Sequence, residues 1–345
     1  MLDYQGNKMS LENKQLPNPI IVVGMPRSGS TLFTRLLNES SQLFVLNDFY
    51  YLQYVDSLNG FTNNNPKIQQ TLQSYVLRMI RERILPPNSQ DITFSLFLSP
   101  EQEQELVNFA QDLKKNNNLN WAESLSKLME FSAKLQGKQI WGYNTPQDYL
   151  HIDRLQQEFP QAKFIYVMRD PRSVIRSYKY YGNIAPEGQK EAARYHPILQ
   201  ALAWRTSIRS FLARKERQPD KFTLVLYEDL VKDTNQTLGK LGDFLNVQFP
   251  NLDLANFGNN SSFKNKKKEG VKSSEIWLCE KIAGQEMKKI GYELSSKQLA
   301  YKDLGYLAYL TKRVIIYYCK NLLVSNDIRK RVFKLAKLSL SQGNY

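Results

Sequence analysis

Residues 22–37, VVGMPRSGSTLFTRLL, set Gly24 and Gly29 around a short turn between an apolar run and helix-like sequence. A strand, a glycine-containing turn and a helix amino terminus gather backbone N–H groups around an anion, and the helix dipole adds to their pull. Arg27, Ser28, Gly29, Ser30 and Thr31 form that cradle, with Arg27, Ser30 and Thr31 adding side-chain donors. Loops that hold nucleoside triphosphates end Gly-Lys-Ser/Thr, and their lysine reaches the β and γ phosphates. Here Ser30 takes the lysine position and Arg27 is the cation of the loop, which argues against a triphosphate. The plain alternative is a strand-to-helix turn without a ligand.

A second cluster lies in residues 163–181, KFIYVMRDPRSVIRSYKYY. The apolar run ends at Arg169, a helix is expected from about Pro171, and Ser177 falls about two helical turns beyond Arg169. Arginine offers a planar fork to a phosphate and serine a smaller hydroxyl donor. Equally, Arg169–Asp170 is a salt bridge at a strand end and Ser177 an ordinary helix residue.

Both clusters need strands that deliver them. IIVV at 20–23 is β-branched and reads as a buried parallel strand. FVLND ending near Asp48, QIWGY before Asn144, KFIYVM at 163–168 and FTLVLY at 222–227 read as further strands, with helix-like segments between them. This alternation predicts an α/β fold of three layers, a central, mainly parallel sheet flanked by helices, as in P-loop proteins. Residues 51–137 read as a helical insertion or cap, in which Ser99-Pro100-Glu101-Gln102 is a helix start.

With 345 residues, 42% of them hydrophobic, the chain has ample material for a core, and its net charge of +14 favours anionic partners. Cys279 and Cys319 are far apart and read as buried thiols, and the polar start lacks a signal-like apolar stretch. A soluble, cytoplasmic setting is expected. The basic amphipathic RKRVFKLAKLSL of the tail suits contact with anionic lipid, the plainer alternative being a helix packed on the core or in a dimer interface.

Taken together, PRSGST after an apolar strand and FPQAKFIYVMRDPRSVIRSY resemble the sulfotransferases that use 3′-phosphoadenosine 5′-phosphosulfate (PAPS). The resemblance runs from about residue 18 to 295, through YNTPQDYLHIDRLQQEFPQAKF, Trp204 and LVLYEDLVKDTNQTLGKLGDFLNV, and so implies a flexible segment at 1–17, a main domain at 18–295 and a basic helical extension at 296–345. It implies that the first motif is the 5′-phosphosulfate loop and that Arg169 and Ser177 hold the 3′ phosphate. A phosphosulfate has no γ phosphate, so Arg27 stands where family members carry Lys or Arg to neutralise the leaving phosphate oxygen. Transfer to a hydroxyl of a carbohydrate, lipid or other metabolite would release PAP and require no metal ion. No nucleic-acid partner is expected.

Cytosolic members place a histidine base in a Lys-Thr-His segment, where this chain has Asn144-Thr145-Pro146. Tyrosylprotein and several carbohydrate sulfotransferases place a carboxylate soon after the loop, and the resemblance to that branch puts the base at Asp48. Many relatives have Lys where Asn144 stands; Lys163 or Arg172 could replace its charge. Tyr227 would approach the nucleotide, and Ser262 with one of Lys266 to Lys268 would contact its adenosine and 3′ phosphate. Glu228-Asp229 also resembles the acidic end of a magnesium-binding segment. A P-loop kinase or nucleotidase, or a catalytically weak anion- or membrane-binding relative, are the alternatives. His151 and His196 are expected at a surface or interface.

Overall fold

The computed structural model describes residues 19–63, 65–82, 98–115, 119–181, 194–257 and 270–340. Five strands, β1 (Ile20–Gly24), β2 (Leu43–Asn47), β3 (Ile140–Asn144), β4 (Lys163–Met168) and β5 (Phe222–Leu226), form one sheet in the order β2-β3-β1-β4-β5. Every pairing is parallel. The sheet is therefore entirely, not merely mainly, parallel.

The β-branched run of β1 is explained by burial on both faces. Alternate residues enter opposite cores: Ile21 and Val23 pack with Tyr143, Phe164 and Tyr166, whereas Ile20 and Val22 pack with Ile165 and Val167. On the second face lies α1 (Ser30–Asn38), whose Leu32, Phe33, Leu36 and Leu37 form a buried stripe. Emptying a site such as Phe33 to alanine would cost about 3–5 kcal/mol. Gly24 must be glycine, since a Cβ there would lie 2.4 Å from the Val167 carbonyl oxygen of the neighbouring strand.

Residues 51–135 contain α2 (Tyr51–Ser57), α3 (Pro66–Glu82), α4 (Pro100–Lys115) and α5 (Trp121–Leu135). The start predicted at Ser99 is present: its hydroxyl accepts from Gln102 N–H at 3.2 Å and Gln102 accepts from the Ser99 N–H at 2.9 Å. α5 packs on β2 and β3, and Tyr51, Leu72, Val76 and Trp121 share one apolar cluster with β1, β3 and β4.

After β3 come a 3-10 turn (Pro146–His151) and α6 (Ile152–Glu158); after β4 come α7 (Pro171–Tyr181) and α8 (Pro197–Arg217). α9 (Tyr227–Lys232) and α10 (Thr234–Leu245) follow β5, and α11 (Ser273–Ile290) packs along α8. The chain continues through α12 (Leu304–Val324) and α13 (Asn326–Leu340), confirming the helical tail.

Asp148, in the 3-10 turn, is fully buried, and neither carboxyl oxygen has a hydrogen-bond partner among the described residues. Burial pushes its pKa up to about 8, with the facing Tyr143 hydroxyl and Lys334 drawing it back only in part. The folded carboxyl thus holds its proton where the unfolded one has released it, so this group's contribution to stability falls as pH rises from its ordinary range towards 8. Asp148→Asn keeps the shape and removes the titration. Its stability advantage over the parent should widen by up to about 1.4 kcal/mol per pH unit between about pH 5 and pH 8. Urea denaturation at the two pH values measures this, and a constant difference would refute a carboxyl raised by burial.

Candidate active site

Because all five strands run the same way, their carboxyl ends share one edge of the sheet. That edge carries Arg27 after β1, Asp48 after β2, Thr145 after β3, Arg169 after β4 and Tyr227 after β5. β1 and β4 are neighbours whose following connections leave towards opposite sides, the position at which open α/β sheets bind ligands.

The loop between β1 and α1 turns through two left-handed residues, Arg27 (φ 74°) and Gly29 (φ 90°). Such alternation turns successive N–H groups towards one concavity, which suits an anion. Gly29 is the N-cap of α1 and offers no side-chain cap, and the first turn contains no acidic residue. The first N–H groups of a helix have no intrahelical acceptor. Ser28 is 1% exposed and its hydroxyl has no partner among the described residues. An orphaned buried hydroxyl beside an uncapped helix start is what an absent anionic group would satisfy, so the loop fits one.

The second cluster meets the first. Arg27 Nε donates to Ser177 Oγ at 3.0 Å, although the two are 150 residues apart. Arg169 Nη1 donates to the Arg27 carbonyl at 3.5 Å, and its guanidinium lies 4.5 Å from the centre of the Tyr227 ring. Trp204 Nε1 donates to the Arg169 carbonyl at 3.1 Å, fixing the strand end. The Tyr227 ring also lies against the loop: a Cβ on Gly29 would come within 2.3 Å of it. Arg27, Ser28, Gly29, Arg169, Ser177 and Tyr227 are thus one assembly, with Ser30 and Thr31 opening the helix beside it. Ser262 and Lys266 to Lys268 lie outside the described residues.

Asp48 sits on the other side of β1, in the left-handed region (φ 49°) and half-buried. Its carboxylate accepts from Asn47 Nδ2 at 3.2 Å and from the Tyr50 hydroxyl at 3.4 Å. Asn144 is fully buried and donates to Asn47 Oδ1 at 2.6 Å. Asn144 and Asn47 are register partners on β3 and β2. Asn47 was not singled out from sequence, and an Asn at the last position of a strand was the available signal.

Several expectations need correction. Lys163 opens β4, a strand's length from Arg169, and donates to the Asp220 carbonyl while lying over the Phe244 ring. Six residues of strand span roughly 20 Å, out of reach of the loop. Arg172 is paired with Asp170 at 2.6 Å and Glu280 at 2.9 Å. Neither supplies the charge that Asn144 lacks. Glu228 accepts from the Asp170 N–H at 3.0 Å and the Tyr292 hydroxyl at 2.8 Å, bracing the strand ends. His151 and His196 are buried rather than superficial; burial holds the His151 pKa down to about 3, and His196 bonds Thr311 at 3.1 Å. Cys279 is buried, with its thiol pushed up to about 12, whereas Cys319 is exposed.

The family model described as "Sulfotransferase family" matches residues 19–251, from β1 past α10. The chain belongs to the sulfotransferase family. Among relatives, Sulfotransferase 2A1 of Rattus norvegicus is 30% identical over 129 residues, 35% of this chain and 45% of that protein. Sulfotransferase 2A2 of Mus musculus is 34% identical over 103 residues, 27% of this chain and 35% of that protein. The chain therefore aligns with less than half the length of these relatives. A sulfotransferase domain from the Synechococcus PCC 7002 olefin synthase is 21% identical, with TM-score 0.47 and coverage of 84% of this chain and 100% of that one. Another, from the curacin biosynthetic pathway, is 20% identical with TM-score 0.48, covering 81% of this chain and all of that domain.

Within this sulfotransferase-family chain the Asn47–Asn144 bond is testable by itself. Asn47→Ala and Asn144→Ala should each destabilise the fold by about 1–3 kcal/mol, and the double variant should lose less than the sum. Additive losses in urea denaturation would mean that the amides act independently.

Proposed function

We propose that this protein transfers a sulfuryl group from PAPS to a hydroxyl of a carbohydrate, lipid or other metabolite. The observation that carries the reading is the Arg27–Ser177 hydrogen bond of 3.0 Å, with Arg169 bound to the same arginine's carbonyl. It joins two anion-binding elements, as a ligand with two separate anionic groups requires. In this reading the loop and the start of α1 hold the 5′ end, while Arg169 and Ser177 hold the 3′ phosphate. Tyr227 supplies a flat face beside them.

The donor supplies a sulfuryl group whose bond to a phosphate oxygen breaks as the bond to the acceptor oxygen forms. The loop N–H groups and Arg27 neutralise the phosphate oxygen that leaves, through fixed positive charge already in place. Asp48 takes the proton of the acceptor hydroxyl, held by Asn47 and Tyr50. The Asn144 amide supports the reading of a base oriented by a buried amide chain. It adds no charge, so charge neutralisation falls to Arg27 and the backbone.

Two variants separate these roles. Asp48→Ala should lower turnover by roughly 10²–10⁴ while PAP affinity stays within about twofold. Arg27→Ala should weaken PAP binding by roughly tenfold or more. Turnover is read by mass spectrometry of products after PAPS and an extract of the source organism are incubated with each protein; PAP binding is read by calorimetry. A parent that fails to bind PAP would end the reading, and an Asp48→Ala protein with normal turnover would move the base elsewhere.

A further inference from the structure

The tail turns two of its lysines inward and leaves apolar side chains exposed. On α13, Lys330 and Lys334 point inward: Lys334 Nζ meets an Asp56 carboxylate oxygen at 2.7 Å, and Lys330 Nζ meets the Asp56 carbonyl at 2.8 Å. Leu335 and Leu338 pack against the core beside them. The opposite face carries Arg329, Phe333, Ala336 and Leu340 at spacings of four, three and four residues, all exposed. Phe333 is 71% and Leu340 85% exposed. α12 buries Leu310 and Val314 yet also exposes apolar residues, with Tyr309, Ile316 and Leu323 exposed every seven residues and Leu323 and Val324 at 83% and 85%. Lys312, Lys320, Arg329 and Lys337 are exposed around these apolar faces.

A face of this kind leaves apolar area in water that burial would remove favourably. Charge selects what covers it. Residues 296–345 contain ten Lys or Arg against two Asp and no Glu, eight of the fourteen net positive charges of the chain. One of the two acids, Asp303, is buried against Lys272 and Ser274. A second copy would bring two strongly cationic surfaces together, whereas an anionic bilayer offers headgroups to the cations and acyl chains to the apolar face. Among the described residues no helix is long and apolar enough to cross a membrane, so the contact is one of lying on the surface.

We propose that the outward face of α12 and α13 docks on an anionic lipid bilayer. The docking is coupled to the catalytic edge by position. α13 is tied to Asp56 in α2, which begins three residues after Asp48, and it also packs on the 3-10 turn that follows Asn144 and Thr145. A helix is roughly 10–12 Å across, so docking brings α2 to about that distance from the lipid.

The full-length protein is sedimented with vesicles of phosphatidylcholine alone and of equal phosphatidylcholine and phosphatidylserine. Binding to the mixed vesicles is expected, roughly tenfold or more weaker to the neutral ones and weakened by salt. Leu323→Ser, Phe333→Ser and Leu340→Ser should each weaken it by roughly tenfold, with thermal melting and PAP affinity unchanged, since these side chains face outward. No binding, or equal binding to both vesicles, overturns the proposal. So does a lipid-independent dimer in sedimentation velocity that the same substitutions dissociate, which would assign the face to a second copy. The proposal stands apart from sulfuryl transfer: PAP binding without vesicle binding removes the docking alone, and the reverse removes only the donor reading.

Discussion

The organisation of this protein depends on the parallel alignment of five short strands. Parallel pairing puts every carboxyl end on one edge, so that residues scattered from Arg27 to Tyr227 leave the sheet in the same direction. It also demands crossovers, which bury both faces and impose the apolar runs of β1 and β4. The close approach of Gly24 to the Val167 carbonyl belongs to the same constraint, because it lets the loop start directly beside the end of β4. The Arg27–Ser177 and Arg169–Arg27 contacts follow from that adjacency.

Neutral groups are among those that position the two arginines of the site. Arg27 is held by a hydroxyl, and Arg169 by a carbonyl and an aromatic face. Neutral partners orient a cation and leave its charge in place. The left-handed backbone of Arg27 and Gly29 works the same way, since it aims dipoles at a point rather than satisfying them locally. The assembly is preorganised for negative charge, and an anion entering it would gain hydrogen bonds from groups already in place.

Those parts of the fold encoded locally were legible in sequence. The β-branched run, the glycine spacing and the helical stripe of residues 20–37 each follow from backbone chemistry over a few residues, and β4 spans the predicted 163–168. The Asn47–Asn144 contact beside Asp48 was less legible, because the two residues are 97 apart in sequence and meet only through the register of β2 against β3. His196 is buried by a contact with Thr311 on the distant tail, which no local pattern encodes. Lys163 was misjudged for another reason: its cation lies at the amino end of a strand whose carboxyl end carries the site. The inward turn of Lys330 and Lys334 was hidden too, since the amphipathic pattern is visible in sequence but these contacts depend on Asp56 in α2.

The amide at position 144 has a rationale that a lysine would lack. A cation beside a carboxylate stabilises its ionised form and so weakens it as a proton acceptor. An amide hydrogen bond orients the neighbour without that penalty. Asn144 donates to Asn47 Oδ1, and this fixes which way the Asn47 amide is turned: its NH₂ must face Asp48, to which it donates. The chain therefore sets the position of the carboxylate through two neutral groups, one of them fully buried. Positive charge remains concentrated at Arg27 and Arg169 on the other side of β1, where an anion would sit. In the proposed reaction, separating charge neutralisation from proton acceptance across the central strand would let each be strong without weakening the other.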